Sequence, residues 1–435
     1  MCSTRNIHWS LLLLLVSATS GLAQEDFEAE PISYSTSQPD NPISRLQDKL
    51  DRQEVELTRE GNRGYLKSVL QALDIPLESQ VLVFSKTSLQ LRRISPKTPR
   101  AIYFNDDAYI GFCQLGDVLE VSVTDPALGT VFYSLDQHQT EGIPHFERRV
   151  DNCLVCHSSS RTEGVPGHLV RSLYVDDEGH PVLSAGSRSV NHTTPFNERW
   201  GGWYVTGVHG AQKHLGNLTI DDHANPNQID NTQGQNVTSL AGRIDTAPYL
   251  TPHSDLVALM VLEHQALVHN RITNANYTTK QALAYDTMMN KVLEKPEGNR
   301  LESTTRRINN AGEKLLDAIL LVGEAPLTEA VQGTSGYAAQ FSARGPRDTK
   351  GRSLYELDLS RRMFKYPCSY LIYSESFAEL PNDVREYVWR RLGEVLSGQD
   401  TSEKFAHLSA EDRQAIAEII RDTVPHVPSN WVAGR

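Results

Sequence analysis

Between residues 81 and 135 apolar and polar residues alternate, and β-branched side chains are frequent. A period of two places successive side chains on opposite faces of a strand. The runs Val81–Phe84, Ala101–Phe104, Tyr109–Phe112, Val118–Val123 and Val131–Leu135 therefore predict five strands, with Asn105-Asp106-Asp107 and Asp125-Pro126 as turns. After residue 250 the period becomes helical. Thr251-Pro252 predicts a helix start, with Thr as N-cap and Pro in the first turn. Leu256, Met260, Glu263, His264, Leu267 and Asn270 then share one face. Further stripes come later: Ile308, Leu315, Ile319 and Val322, stopped by Gly323 and Pro326, then Val384, Tyr387, Val388 and Val395, stopped by Gly398. Ser409-x-x-Asp412 reads as a capping box for a helix through Ile416, Ile419 and Ile420 to about Arg421. In the N-terminal part, Glu25–Asn41 is polar and predicts a mobile arm, followed by an amphipathic segment over Ile43–Leu57 and a short helix near Tyr65–Leu73. Residues 158–250 carry Gly, Asn and Thr without strong periodicity, the pattern of loops that wrap a ligand.

The expected fold class is α+β. A small antiparallel N-terminal sheet, a loop-rich middle region and a mainly helical C-terminal half are predicted. The expected organisation is a signal peptide over 1–23, a polar arm and short helix over 24–60, and a small α+β region over 61–140. A cofactor-binding region over 141–250 and a helical region over 251–435 complete it.

Composition narrows the class without naming the chemistry. The chain has 435 residues, 42 Lys plus Arg against 54 Asp plus Glu, and a formal charge of −12. That balance, with no basic block, argues against nucleic acid or an anionic membrane as the main partner. Residues 1–23 read as a secretory signal: Arg5 without an acid, the apolar core Leu11–Val16, then the small-residue site Gly21-Leu22-Ala23. The apolar run is far below the roughly 20 residues that span a bilayer, so a cleaved leader and an exported, periplasmic protein are expected. Cys2 leaves with it. Cys113, Cys153, Cys156 and Cys368 remain, in a compartment that permits disulfides.

One motif carries chemistry. Cys153-Leu154-Val155-Cys156-His157 is the Cys-x-x-Cys-His signature of covalent haem attachment, and it occurs once. Two thiols three positions apart lie within about one helical turn, so both reach the vinyl groups along one porphyrin edge. The adjacent imidazole then meets the iron from one face. A zinc ribbon needs a second Cys pair, which Cys113 and Cys368 do not form. A thioredoxin-like pair needs a strand before the helix, and Pro144–Arg149 does not read as one. Five residues here resemble c-type cytochromes. More broadly, Arg161–Ser172, Arg199–Gly207 and Phe364–Ser374 make the whole chain similar to large exported bacterial proteins with a single cytochrome c domain. That resemblance implies one covalent haem c and electron transfer, and it supplies no substrate.

The second axial ligand stays open. Small cytochromes of this kind use a Met, and no Met lies between His157 and Met260. His209, in the loop Thr206–Gly210 after the aromatic run Arg199–Tyr204, is the leading candidate, with Met260 or His264 on the long helix as alternatives. His192 and His214 rank lower, and His168 is too close in sequence to His157 to reach the opposite face. Arg161, Arg171, Arg188 and Arg199 are candidates for pairing with haem propionates. The segment Met363–Tyr373 is expected to pack near the haem, and Cys113 and Cys368 could pair in a disulfide. Three functions fit this reading. The first is an exported electron carrier with an unnamed redox partner protein. The second is a peroxidase-like oxidoreductase with an open distal site, for which Glu263 and His264 are the acid/base candidates. The third is a haem sensor or subunit of a redox complex.

Overall fold

The computed structural model describes residues 26–221, 229–428 and 431. The expected signal peptide, 1–23, lies outside the described residues.

The alternating region folds as expected and then goes further. Strands β1 (Val81–Val83), β2 (Arg100–Phe104), β3 (Ala108–Phe112), β4 (Val118–Asp125), β5 (Gly129–Asp136) and β6 (Phe146–Arg149) form a meander. With β9 (Trp203–Tyr204) they make a seven-stranded sheet in the order β6-β5-β4-β3-β2-β1-β9, every pairing antiparallel. Strand β6 departs from the sequence expectation. Its Glu147, Arg148 and Arg149 hide the pattern, yet its backbone pairs with β5 as an edge strand and only Phe146 turns inward. Two-stranded ribbons, β7 (Arg171–Leu173) with β8 (Ser187–Ser189) and β10 (Gly207–Val208) with β11 (Gln332–Gly333), tie the loop region together.

The helices are α1 (Pro42–Asp51), α2 (Leu66–Ala72), α3 (Asn152–His157), α4 (Leu256–Val292), α5 (Glu302–Ile319), α6 (Tyr337–Ala343), α7 (Glu375–Ala378), α8 (Asn382–Leu396) and α9 (Ala410–Thr423). The class is α+β. The long helix begins later than Thr251-Pro252 predicts. Asp255 is its N-cap, because its carboxylate accepts the Val257 and Ala258 N–H groups at 2.8 and 3.1 Å. The Ser409/Asp412 capping box on α9 is present as the sequence predicts.

The polar arm is another departure. Phe27, Ile32 and Tyr34 are buried, and Tyr34 donates its hydroxyl to Thr130 O at 2.9 Å. Three apolar anchors in a polar stretch are enough to fix it on the sheet. The apolar residues divide into two clusters. One joins this N-terminal segment to the sheet and also takes Leu154 and Tyr277. The other joins α4, α5, α8 and α9. Helix α4 contributes to both, so it is the spine between sheet and helices.

Candidate functional site

Helix α3 carries the whole motif. It comes directly after edge strand β6, and Leu154 is its buried anchor in the sheet cluster. Cys153 is half-buried against that cluster, whereas Cys156 and Val155 face outward, the latter 78% exposed. Both thiols are free. The half-buried His157 imidazole sits 4.9 Å from the Phe132 ring of β5.

The loop after α3 fixes the imidazole. The chain turns through Glu163 and Gly164, both at positive φ, and returns so that Gly167 lies against His157. His157 Nδ1 donates to Gly167 O at 2.9 Å, and the Gly167 N–H donates to His157 O at 2.8 Å. That first bond places the proton on Nδ1 and so leaves the Nε2 lone pair for a metal, the arrangement by which a hydrogen-bond acceptor behind the ring sets the tautomer of a ligating histidine. Burial lowers the His157 pKa from its ordinary value, so the ring is neutral, as a ligand must be.

The return loop is clamped by α4. Asn270 Oδ1 accepts the His168 N–H at 2.9 Å, and Asn270 Nδ2 donates to His168 O at 2.8 Å. Arg271 pairs with Glu163 at 2.8 Å. Asn270 approaches so closely that a Cβ on Gly167 would lie 2.4 Å from its Oδ1. Glycine is required at this close approach. The helical period places Asn270 on the inward face of α4 but gives no means of finding a partner 102 residues away.

The thiols speak against a redox-active dithiol. Contrary to expectation, a strand does precede the helix, as β6, so its absence no longer excludes a thioredoxin-like pair. Two observations replace that ground. Strand β6 is an antiparallel edge strand, not part of a βαβ unit. Burial also pushes the Cys153 thiol up to about 11, whereas a reactive dithiol needs a lowered value.

The other expected ligands lie elsewhere. His209 is buried beside Phe196 and His214, with ring centroids 5.5 and 4.8 Å away. Its Nε2 already accepts the Asn236 N–H at 3.1 Å. Met260, 2% exposed, packs in the helical cluster, not in the cluster that holds Cys153. No hydrogen bond or ring contact among the described residues joins either one to His157, because both are taken up by core packing. His264 hydrogen-bonds His192 through Nδ1 and Ser369 through Nε2, each at 2.9 Å, and all three are buried. His214 is buried too, its Nδ1 accepting the Gly216 N–H. Glu263 is ion-paired with Arg199 deep in the core, and burial pushes its carboxyl up to about 8 against the pull of that arginine. Arg199 is thus spent on Glu263, and Arg188 on Glu198. Arg171 lies near both Cys156 and Arg161, and it is steadied by Ser187 Oγ at 2.7 Å. The segment 363–373 packs on His264 through Phe364, 5.1 Å away, rather than on α3. Cys113 and Cys368 are both buried free thiols, so they form no disulfide.

The residues fit a covalent haem. Two free thiols on one helical turn, an imidazole whose Nδ1 is already hydrogen-bonded, and the Arg171 guanidinium near Cys156 are a donor set that such a group would use. Among the described residues no cluster of three or more His, Cys, Asp or Glu is arranged to hold a bare metal ion. A porphyrin supplies four nitrogens of its own and asks the protein for only one or two. No family model, curated protein or solved structure matches this chain.

Proposed function

We propose that the chain is an exported c-type cytochrome that carries one haem on Cys153 and Cys156, with His157 as the proximal axial ligand, and passes single electrons to a partner protein. The observation that supports this reading is the 2.9 Å bond from His157 Nδ1 to Gly167 O, which leaves the Nε2 lone pair for an iron ligand bond. A bound haem supplies the ferric/ferrous couple. The chain's own residues do the rest. Cys153 and Cys156 would hold the porphyrin edge, and His157, oriented by its hydrogen bond to Gly167 O, would ligate the iron. Arg171, near Cys156, would pair with a haem carboxylate, with Arg161 adding positive charge beside it. The exposure of Cys156 and Val155 keeps the attachment edge open to a docking partner.

A second reading draws on the placement of His209 and Met260. With both in the core, neither would reach a haem bound at α3, and a site without a second protein ligand would suit a peroxidase-like oxidoreductase or a haem sensor. Absorption spectra of the purified protein, oxidised and reduced, separate the two. A low-spin spectrum indifferent to carbon monoxide supports the carrier. Ready carbon monoxide binding by the reduced protein refutes a six-coordinate carrier and favours the open site.

No helix among the described residues is long and apolar enough to cross a membrane. Export and a periplasmic location rest on the leader read in residues 1–23. The redox partner is a protein of that compartment.

A further inference from the structure

The clamp on His157 opens onto a buried row of aromatic and polar side chains that the electron-carrier reading does not use. Gly167, whose carbonyl holds His157, is bonded covalently to His168. The His168 ring lies 4.1 Å from that of Tyr109. The Tyr109 hydroxyl accepts from Gln265 Nε2 at 2.6 Å, and Gln265 Oε1 accepts the Tyr370 hydroxyl at 2.5 Å. The Tyr370 ring is 4.7 Å from that of Tyr355. The Tyr355 hydroxyl donates to Asp106 Oδ2 at 2.7 Å, and the other oxygen of that carboxylate is paired with Arg344 at 2.9 Å. A second route of rings, Tyr109–Phe104–Tyr337–Phe341–Tyr355, has no centroid step longer than 6.1 Å. From His168 to Tyr355 every side chain on both routes is buried.

Packing alone does not ask for this arrangement. Phenylalanine fills the same volume without a hydroxyl that must be satisfied on burial. Of Tyr109, Tyr337, Tyr355 and Tyr370, Tyr355 is the one whose hydroxyl is hydrogen-bonded to a carboxylate. That pairing matters chemically, because a phenol gives up an electron far more readily when its proton has a base to move to.

We infer that Tyr355, with Asp106 as its proton acceptor, is a second one-electron site, joined to the iron-binding segment through His168, Tyr109, Gln265 and Tyr370. The inference rests on the haem reading for its far end only. In the forward step a one-electron oxidant stronger than a phenol, an oxidised metal complex or a peroxyl radical, takes one electron from Tyr355. The hydroxyl proton crosses to Asp106 Oδ2, leaving a neutral phenoxyl radical beside a carboxylic acid. A peroxyl radical becomes a hydroperoxide by taking that electron and a proton from water, leaving hydroxide. In the return step one electron, which a bound ferrous haem would supply on becoming ferric, and the proton from Asp106 restore phenol and carboxylate. Gln265 is a positioning residue, since its amide holds both flanking hydroxyls.

The test is flash oxidation of the full-length, haem-loaded protein with ruthenium tris-bipyridyl and persulfate, read by electron paramagnetic resonance. Wild type should give a neutral tyrosyl radical that Tyr355→Phe loses and Asp106→Asn strongly diminishes, while the control Tyr204→Phe, whose hydroxyl donates to the Pro96 carbonyl and has no carboxylate base, keeps it. The radical should decay faster when the haem is ferrous than when it is ferric, and Gln265→Leu should slow that decay. An unchanged radical in Tyr355→Phe overturns the site, and equal decay in the two haem states overturns the connection. Circular dichroism melts of each variant separate loss of the radical from loss of the fold. A chain that attaches no haem refutes the haem reading instead, and the Tyr355 comparison stays readable because the photo-oxidant needs no iron.

Discussion

Replacing Gly167 with alanine should damage the proposed iron ligand from a position that never touches the metal. The new Cβ would lie 2.4 Å from Asn270 Oδ1, 2.9 Å from its Cγ and 3.0 Å from Thr162 Cβ. Asn270 is buried and cannot swing into solvent, so it must give up its two bonds to the His168 backbone. Two such bonds are worth about 1 kcal/mol each, and forced overpacking adds about 1–3 kcal/mol, so the expected loss is about 3–5 kcal/mol. Guanidinium unfolding followed by circular dichroism measures it. The decisive comparison is a double-mutant cycle with Asn270→Ala. That change removes the atoms the Cβ would strike, so Gly167→Ala should cost only about 1 kcal/mol in its presence, a coupling of about 2 kcal/mol or more. Additive costs would refute the clamp. The same variant should also shift the haem absorption bands, because moving Gly167 O weakens its bond to His157 Nδ1.

The same structure predicts three further outcomes. Replacing Cys153 or Cys156 by alanine should each leave a single thioether, seen as a shifted pyridine haemochrome band, and replacing both should leave none. Replacing His209 or Met260 by alanine should lower stability by about 2–5 kcal/mol through lost packing while leaving the haem spectrum unchanged; a change of spin state would restore that residue as an axial ligand. Acidification should destabilise the fold between about pH 6.5 and 4.5. Burial holds His168, His192, His214, His264 and His269 below their ordinary value, so each binds its proton only on unfolding. Their stabilisation is present above the unfolded value of 6.5 and is lost as pH falls. Asp107, Glu263 and Glu324, raised to about 7 or 8 by burial, oppose this by binding protons in the folded state. The lowered histidines, with His157 and His209 among them, outnumber these carboxyls, so unfolding takes up protons on balance, and a stability that is flat or rises from pH 6 to 5 would contradict it.

The sheet is legible in the sequence because alternation is a local signal: β2 to β5 fall where the period of two runs. Strand β6 is hidden because an edge strand needs only one inward residue, and Phe146 alone makes no pattern. The segment 26–41 looks like a mobile arm for a related reason, since its order comes from Phe27, Ile32 and Tyr34 meeting a sheet that local sequence does not reveal. Helix α4 starts at Asp255 rather than Thr251 because Asp255 satisfies the first helical N–H groups and Ser335 as well. In the site, Cys153, Cys156 and His157 are proposed from their spacing, and the structure adds that one short helix, α3, carries all three. The clamp is not, because Gly167 and Asn270 acquire their roles only once α4 crosses the loop. His209 and Met260 look like ligands by residue type, and their burial in the core is a tertiary fact.

The most direct test of the account is whether the porphyrin survives removal of the fold. The full-length protein is produced in a host with haem-attachment machinery, denatured, extracted with acid and acetone, and weighed. The account predicts a polypeptide heavier by one haem and still coloured, with the added mass confined to the peptide that contains Cys153 and Cys156. Colourless protein at the bare polypeptide mass, with both thiols open to alkylation, would contradict it.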